Sequence, residues 1–233
     1  MASFAKRLAR GFLWLLLGWF VLTIGLVLTL RFVDPFTSAF MLRDRARAWW
    51  QNEPRYVFRH EWVNGDQIAA HLKLAVIASE DQKFLEHRGF DFDSIGDALA
   101  ARERGRRVRG ASTITQQVAK NIFLWPGQSW VRKGIEAYFT VLIESLWSKR
   151  RIMEIYLNIA EFGRGVYGAK AASHFYFNKT ANRITAAEAA LLAASLPNPR
   201  RLRVASPSAY VRRRQEFILL QMQGVGAAAV RGL

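Results

Sequence analysis

Two adjacent carboxylates, Glu80 and Asp81, end the apolar run Ala75-Val-Ile-Ala-Ser79, and His87 follows seven residues after Glu80. A carboxylate held against apolar neighbours has a raised pKa and can take a proton near neutral pH. Seven residues are about two helical turns, so His87 could share that face. The same residues also describe a solvated helix end with a structural histidine. From residue types alone, that plainer reading is the better one. A metal site built from Glu80, Asp81 and His87 lacks a recognised ligand spacing.

Three further blocks could act on an anion or a sugar. Gly110-Ala-Ser112-Thr113-Ile-Thr115-Gln116-Gln117-Val-Ala-Lys120-Asn121 opens a predicted helix with a glycine and three hydroxyls. Free N–H groups at such an end bind anions. Gln117 and Lys120 recur one turn apart, and Lys120 could neutralise a phosphate. A plain Ser/Thr cap with a polar face competes evenly, although it leaves the paired glutamines unexplained. Arg132, Lys133 and Glu136 place a carboxylate one turn from two cations, with Glu144 further on. Alone they read as a surface ion pair worth a few tenths of a kcal/mol, on the order of other helix pairs. Finally, Gly163, Gly165 and Gly168 precede Phe175-Tyr-Phe177. They allow either a sugar groove or close backbone packing, and packing is favoured for most of them.

These residues need elements to hold them. Apolar spacing predicts helices over Ile68 to Phe84, Thr113 to Phe123, Val131 to Trp147, Arg151 to Ile159 and Thr185 to Ala194. Thr185 and Glu188 form a capping box for the last, and Pro197 and Pro199 stop it. Asn64-Gly65 marks a turn. No strand signal of comparable length and no repeat are visible. Ala101 to Gly110 carries five arginines around one glycine, a poor helix and an expected mobile basic loop. It would either fold over an anionic headgroup or merely dock on a membrane surface.

Phe12 to Leu30 is uncharged and apolar. At ~1.5 Å per residue it suits a hydrocarbon core of ~30 Å. Trp14 and Trp19 suit an interface. The run exceeds the ~7–15 residues of a signal-peptide core, and RFVDPFTSAF offers no cleavage site. An uncleaved anchor is therefore expected. Lys6, Arg7 and Arg10 on one side nearly balance Arg31, Arg43 and Arg45 on the other. Only the short basic start favours a cytoplasmic N-terminus. Residues 31–50 mix Arg with Phe and Trp, as either an interfacial helix or a linker would. The expected organisation is a cytoplasmic tail over 1–11, an anchor over 12–30, a juxtamembrane linker over 31–50 and a catalytic domain over 51–233.

Composition narrows the classes. The chain has 233 residues, no cysteine and a formal net charge of +16. Disulfides, thiolate metal sites and cysteine nucleophiles are excluded. Only three of the excess positive charges lie in the first ten residues, so the basicity belongs mainly to the folded part. Such a protein attracts phosphate-bearing ligands, anionic lipid or nucleic acid.

Taken together, the blocks EDQKFLEHRGFD, GASTITQQVAKN, RKGIEA, RRIMEIYLNIAEFGRGVYGAKAASHFYF and ITAAEAALLAASLPNP resemble the five ordered motifs of the family 51 glycosyltransferases. They run from Glu80 to Pro199. With one anchor, the resemblance is to the monofunctional biosynthetic peptidoglycan transglycosylases. Ser129-Trp-Val-Arg132 lacks the lysine of a transpeptidase Ser-x-x-Lys, and no room is expected for such a domain. The resemblance implies a mainly α, lysozyme-like, two-lobed domain after a transmembrane helix. It implies lipid II as substrate, undecaprenyl diphosphate as leaving group and inversion from an α-linked donor to a β-1,4 product. Glu80 matches the general base and Glu136 the second essential carboxylate. Ser112, Gln117, Lys120, Arg132 and Lys133 match the residues that hold the donor's diphosphate and sugars. Asp81, Phe84, His87, Thr113 and Asn121 join the expected substrate-binding set.

The resemblance also implies help from a divalent cation such as Mg2+, with no organic cofactor. The implied partners are the growing lipid-linked glycan strand, inner-membrane lipids and other cell-wall synthesis proteins, not nucleic acid. The implied place is the bacterial inner membrane, with the catalytic domain periplasmic. Ala111 and Ile184 stand where glycine and leucine are common in the family. Two rivals remain at this level. One is a glycan-cleaving enzyme with Glu80 as acid. The other is a nucleic-acid or lipid-binding module using Arg102 to Arg109.

Overall fold

The computed structural model describes residues 2–105, 112–127 and 129–233. The chain divides into two units, residues 1–35 and 36–233. The first is dominated by helix α1 (Ala2–Leu30). Its stretch Lys6–Leu30 is long and apolar enough to cross a membrane. The hydroxyl of Thr23 donates to the Trp19 carbonyl, and that of Thr29 to the Gly25 carbonyl. Polar groups on an otherwise apolar helix are thereby satisfied internally, as a bilayer requires. The tail expected over 1–11 is helical from Ala2 onward and continuous with the anchor.

The second unit is built from α2 (Ala39–Trp50), α3 (Ala70–Glu80), α4 (Phe92–Glu103), α5 (Ile114–Phe123), α6 (Trp130–Leu146), α7 (Lys149–Ile159), α8 (Ala169–Phe177), α9 (Ala186–Ser195) and α10 (Ala209–Val225). Helix α3 is buried from Leu72 through Ala78, and that stretch is apolar except for Lys73, whose ammonium donates to the Leu233 carbonyl at 2.8 Å. It packs against α9 and α10. The small side chains of Ala189, Ala190, Ala193 and Ala194 are fully buried, which lets these backbones approach closely. A second group, α5, α6 and α7, packs together. The five predicted helices all form, each shifted by a few residues at its ends. That expected to reach Phe84 stops at Glu80, where Asp81 turns to φ −163°, ψ 79°. The capping box of Thr185 and Glu188 is present.

Three short strands, β1 (Arg59–His60), β2 (Glu161–Gly163) and β3 (Val166–Tyr167), form one sheet in the order β1-β3-β2. β1 is parallel to β3, and β2 is antiparallel to it. Two glycines explain how the backbone fits here. Gly165 has φ +73°, and a Cβ there would sit 2.4 Å from the Val57 carbonyl oxygen. Gly168 has φ +84°, and its Cβ would meet the Asn158 carbonyl oxygen at 2.7 Å. The glycine-rich stretch therefore serves close packing, the favoured of its two readings.

Two expectations need correcting. Residues 36–50 are not a linker, because they belong to the second unit and contain α2, capped by Ser38. Asp44 of α2 is buried and ties it down. It accepts hydrogen bonds from Tyr56 (2.9 Å), Tyr167 (3.2 Å) and Arg200 (2.6 Å). Arg200 also donates to Glu161 at 2.8 Å. The basic stretch is not loop throughout. Ala101 to Glu103 form the last turn of α4, followed by Gly105 at φ +65°. Its remainder, with Arg106, Arg107 and Arg109, lies outside the described residues, as does Ala111.

Candidate active site

The site lies where the α3 group meets the α5 group, and Asp81 makes the joint. One carboxylate oxygen accepts from the Ile114 backbone N–H at 3.0 Å, and the other faces Nε2 of His87 at 2.8 Å. Gly89 N–H donates to Nδ1 of His87, so Nε2 carries the proton toward Asp81. Thr113 caps α5, donates its hydroxyl to the Gly89 carbonyl, and closes a capping box with Gln116. The paired glutamines thus divide their work. Gln116 caps the helix, and Gln117 turns to Glu80. The anion-binding start of α5 is real, but the anion that fills it is the protein's own Asp81. That departs from the expectation of a diphosphate there.

Glu80 ends α3 and points into a cleft of about 280 Å³, lined also by Ser112, Thr113, Arg214 and Phe217. Gln117 donates to its carboxylate at 3.0 Å and itself accepts from the Tyr156 hydroxyl at 3.2 Å. Arg214 of α10 approaches to 3.7 Å. Burial pushes the Glu80 carboxyl above its ordinary range, while the Gln117 hydrogen bond and the charges of Arg214 and Lys120 only partly offset this. Glu80 also sits at the negative end of α3, which disfavours its charged form further. The Glu80 carboxyl is therefore harder to ionise than an ordinary glutamate.

One turn beyond Gln117 on α5 stands Lys120. Burial lowers its pKa, with Glu136 pulling upward and Arg132 and Lys133 downward. On α6, Glu136 is buried and fully engaged. Arg132 donates to one oxygen at 2.7 Å, and Lys133 meets the other. Removing one partner of a buried pair costs about 3–5 kcal/mol, so Glu136 and the buried Arg132 hold each other in place, with Lys133 beside them. The carboxylate that binds them neutralises one charge. Lys120 and one further positive charge are left for an anion. The i,i+3 surface pair that the residues alone suggested is thus a buried Arg132–Glu136 pair with the half-exposed Lys133 at its rim.

The other expected site residues are distributed less evenly. Ser112 is exposed at the cleft, and Asn121 is half-buried on α5. Phe84 is fully buried, its ring against His87 and beneath the Lys149 ammonium. It packs the turn after Glu80 rather than facing the cleft. His87 contacts Asp81 rather than sharing a helix face with Glu80, because α3 ends before it. Thr115 and Lys149 both bond Glu144, which braces α5 against the start of α7. Sequence reasoning missed Arg214. Its signal was the run Arg212-Arg213-Arg214, which only tertiary packing brings to Glu80. Among the described residues no group of three His, Cys, Asp or Glu side chains could hold a metal ion. Both oxygens of Asp81 are occupied, by the Ile114 N–H and by His87.

The site thus joins a carboxylate with a raised pKa to a cationic cluster reached through Lys120, on a mainly helical scaffold. The family model described as Transglycosylase matches residues 49–223, and the chain belongs to that family. A biosynthetic peptidoglycan transglycosylase of Cronobacter sakazakii is 53% identical over 221 residues, 95% of this chain and 90% of the relative. Proteins of the same description from Shigella boydii and Escherichia coli strain K12 are 59% and 58% identical over 193 residues, 82% of this chain and 79% of theirs.

The Asp81 joint yields a direct test. Asp81→Asn keeps the shape but cannot accept from both Ile114 and His87, so it should cost about 1–3 kcal/mol of stability. Thermal unfolding of the full chain should show a transition several degrees lower. An unchanged transition would mean that the joint contributes nothing.

Proposed function

We propose that this chain is a peptidoglycan glycosyltransferase that polymerises lipid II into β-1,4 glycan strands and releases undecaprenyl diphosphate. The observation that carries the reading is Glu80, a buried carboxylate with a raised pKa. It lies in an open cleft within the electrostatic reach of Lys120. In this reading Glu80 takes the proton from the acceptor's 4-hydroxyl as that oxygen attacks the anomeric carbon of the donor. The bond to the donor's diphosphate breaks in the same displacement, so the α-linkage inverts to β and needs no covalent enzyme intermediate. Lys120, Arg132 and Lys133 stabilise the charge that grows on the departing diphosphate. Glu136 acts by positioning Arg132 and Lys133. Gln117 orients Glu80, and Ser112, Thr113 and Asn121 line the path of the sugars. A divalent cation such as Mg2+ would enter with the diphosphate.

The membrane-length helix α1 fits a single-pass anchor in the inner membrane, which keeps the cleft beside a substrate whose tail stays in the bilayer. The short basic start Lys6-Arg7 favours a cytoplasmic N-terminus, and lipid II chemistry puts the catalytic unit in the periplasm in this reading. A C-terminal reporter active only outside the cytoplasm should be active; a well-expressed but silent reporter would reverse this orientation. The growing glycan strand and other cell-wall synthesis proteins are the partners this place implies.

Glu80→Gln should reduce lipid II polymerisation by ~10²–10⁴-fold or more. It should not lower the unfolding temperature, because the substitution removes a buried charge and keeps a partner for Gln117. Turnover and unfolding are measured on the same preparation. Near-normal turnover in a folded variant would remove Glu80 from the mechanism.

A further inference from the structure

Away from the Glu80 cleft, two cavities of about 600 Å³ each border α2, beside a smaller one of about 210 Å³ lined by Phe40, Arg43 and Arg47. The two larger cavities share Ala48 and Glu53 as a common wall but differ in chemistry. The first is a basic basin containing Arg47, Arg164, Arg200 and Arg203 over the rings of Phe175 and Tyr176. Two of these arginines are committed. Arg200 is held by Asp44 and Glu161, and Arg164 meets Glu53. Among the described residues, Arg47 and Arg203 make no ion pair. Arg47 spends only its Nε, on Gln51. The basin's own carboxylates, Asp44 and Glu53, are already countered. Two exposed guanidinium groups therefore face an open cavity with donors to spare, an arrangement suited to a phosphate.

The second cavity is largely apolar. Leu42, Trp49 and Phe58 line it, with the Arg45 guanidinium stacked 5.1 Å above the Phe58 ring. Trp49 and its neighbour Trp50 are 76% and 81% exposed, on a helix that otherwise holds firmly to the unit through Asp44. Large aromatic side chains are left in water only at a cost, unless something apolar covers them. A ligand that fits both cavities has an anionic head and apolar chains. In the chain, α2 follows the membrane-length helix after eight residues, so a membrane lipid is the amphiphile at hand.

We propose that this face of α2 binds an anionic phospholipid, its phosphate between Arg47 and Arg203 and its acyl chains over Leu42 and Trp49. None of these residues lines the Glu80 cleft. Arg47 also borders a smaller cavity with Phe40, whose ring lies 5.8 Å from the Lys120 ammonium, so the proposed lipid sits outside the Glu80 cleft but near the cationic cluster.

Native mass spectrometry on the full chain in a neutral detergent tests this, with dioctanoyl phosphatidylglycerol, dioctanoyl phosphatidylcholine and inorganic phosphate as probes. Phosphatidylglycerol should bind saturably and about tenfold or more tighter than phosphatidylcholine, the scale expected of two arginines on one phosphate. The double variant Arg47→Gln with Arg203→Gln should lose that preference. Trp49→Ala should weaken both lipids alike. All of these side chains are exposed, and thermal unfolding confirms that each variant is folded. Equal binding of the two lipids, or a preference that survives the double variant, would overturn the proposal. Inorganic phosphate binding as tightly as phosphatidylglycerol would also overturn it, in favour of a free-anion site. So would a raised KM for lipid II in detergent without phospholipid, which would make these arginines part of the substrate site.

Discussion

A largely buried carboxylate at the negative end of a helix is the constraint around which this protein is arranged. Glu80 would ionise poorly if burial and the α3 dipole acted alone. The Gln117 hydrogen bond and the charges of Arg214 and Lys120 make its ionised form accessible, while burial keeps the pKa raised. A surface glutamate would be too weak a base, and an unpaired buried one would stay protonated. The three helices that supply these neighbours, α5, α7 by way of Tyr156, and α10, must all be held against α3 for this balance to exist.

Asp81 and Glu136 make that arrangement possible, although neither is free to do chemistry. Asp81 fixes the start of α5 to the end of α3, which sets where Gln117 meets Glu80 one turn later. Glu136 gathers Arg132 and Lys133 on α6, opposite Lys120. Buried ion pairs add little to net stability, because desolvation consumes most of the attraction. Their value here is geometric. They hold like charges close together in readiness for an anion, an arrangement that the folded chain would otherwise resist.

Much of this was legible in the residues, and the limits have physical causes. Periodicity located α3, α5, α6, α7 and α9, because each buries a continuous face or is buried outright. Type and spacing marked Glu80 with Asp81 and Arg132 and Lys133 with Glu136, but left them as a helix end and a surface pair; only the five ordered motifs tied them into a site. Periodicity could not show that α2 belongs to the catalytic unit. Its attachment runs through Asp44 to Tyr56, Tyr167 and Arg200, partners up to 156 residues away. Arg214 was hidden for the same reason. His87 and Phe84 looked like cleft residues because they follow Glu80 closely, but α3 ends at Glu80 and turns them toward Asp81 and the core. The glutamine pair could not be divided between cap and site until Thr113 was seen to bond Gln116.

The central claim is that Glu80 is the base and that its raised pKa results from burial set against nearby cations. The pH dependence of kcat/KM for lipid II polymerisation tests this most directly, because its acid limb reports the ionisation of the free enzyme's essential base. The wild-type limb should lie above the ordinary carboxylate range. Arg214→Gln should move it to higher pH, since removing a cation makes the carboxylate harder to ionise. An acid limb at the ordinary carboxylate value, or one that Arg214→Gln leaves in place, would contradict the account.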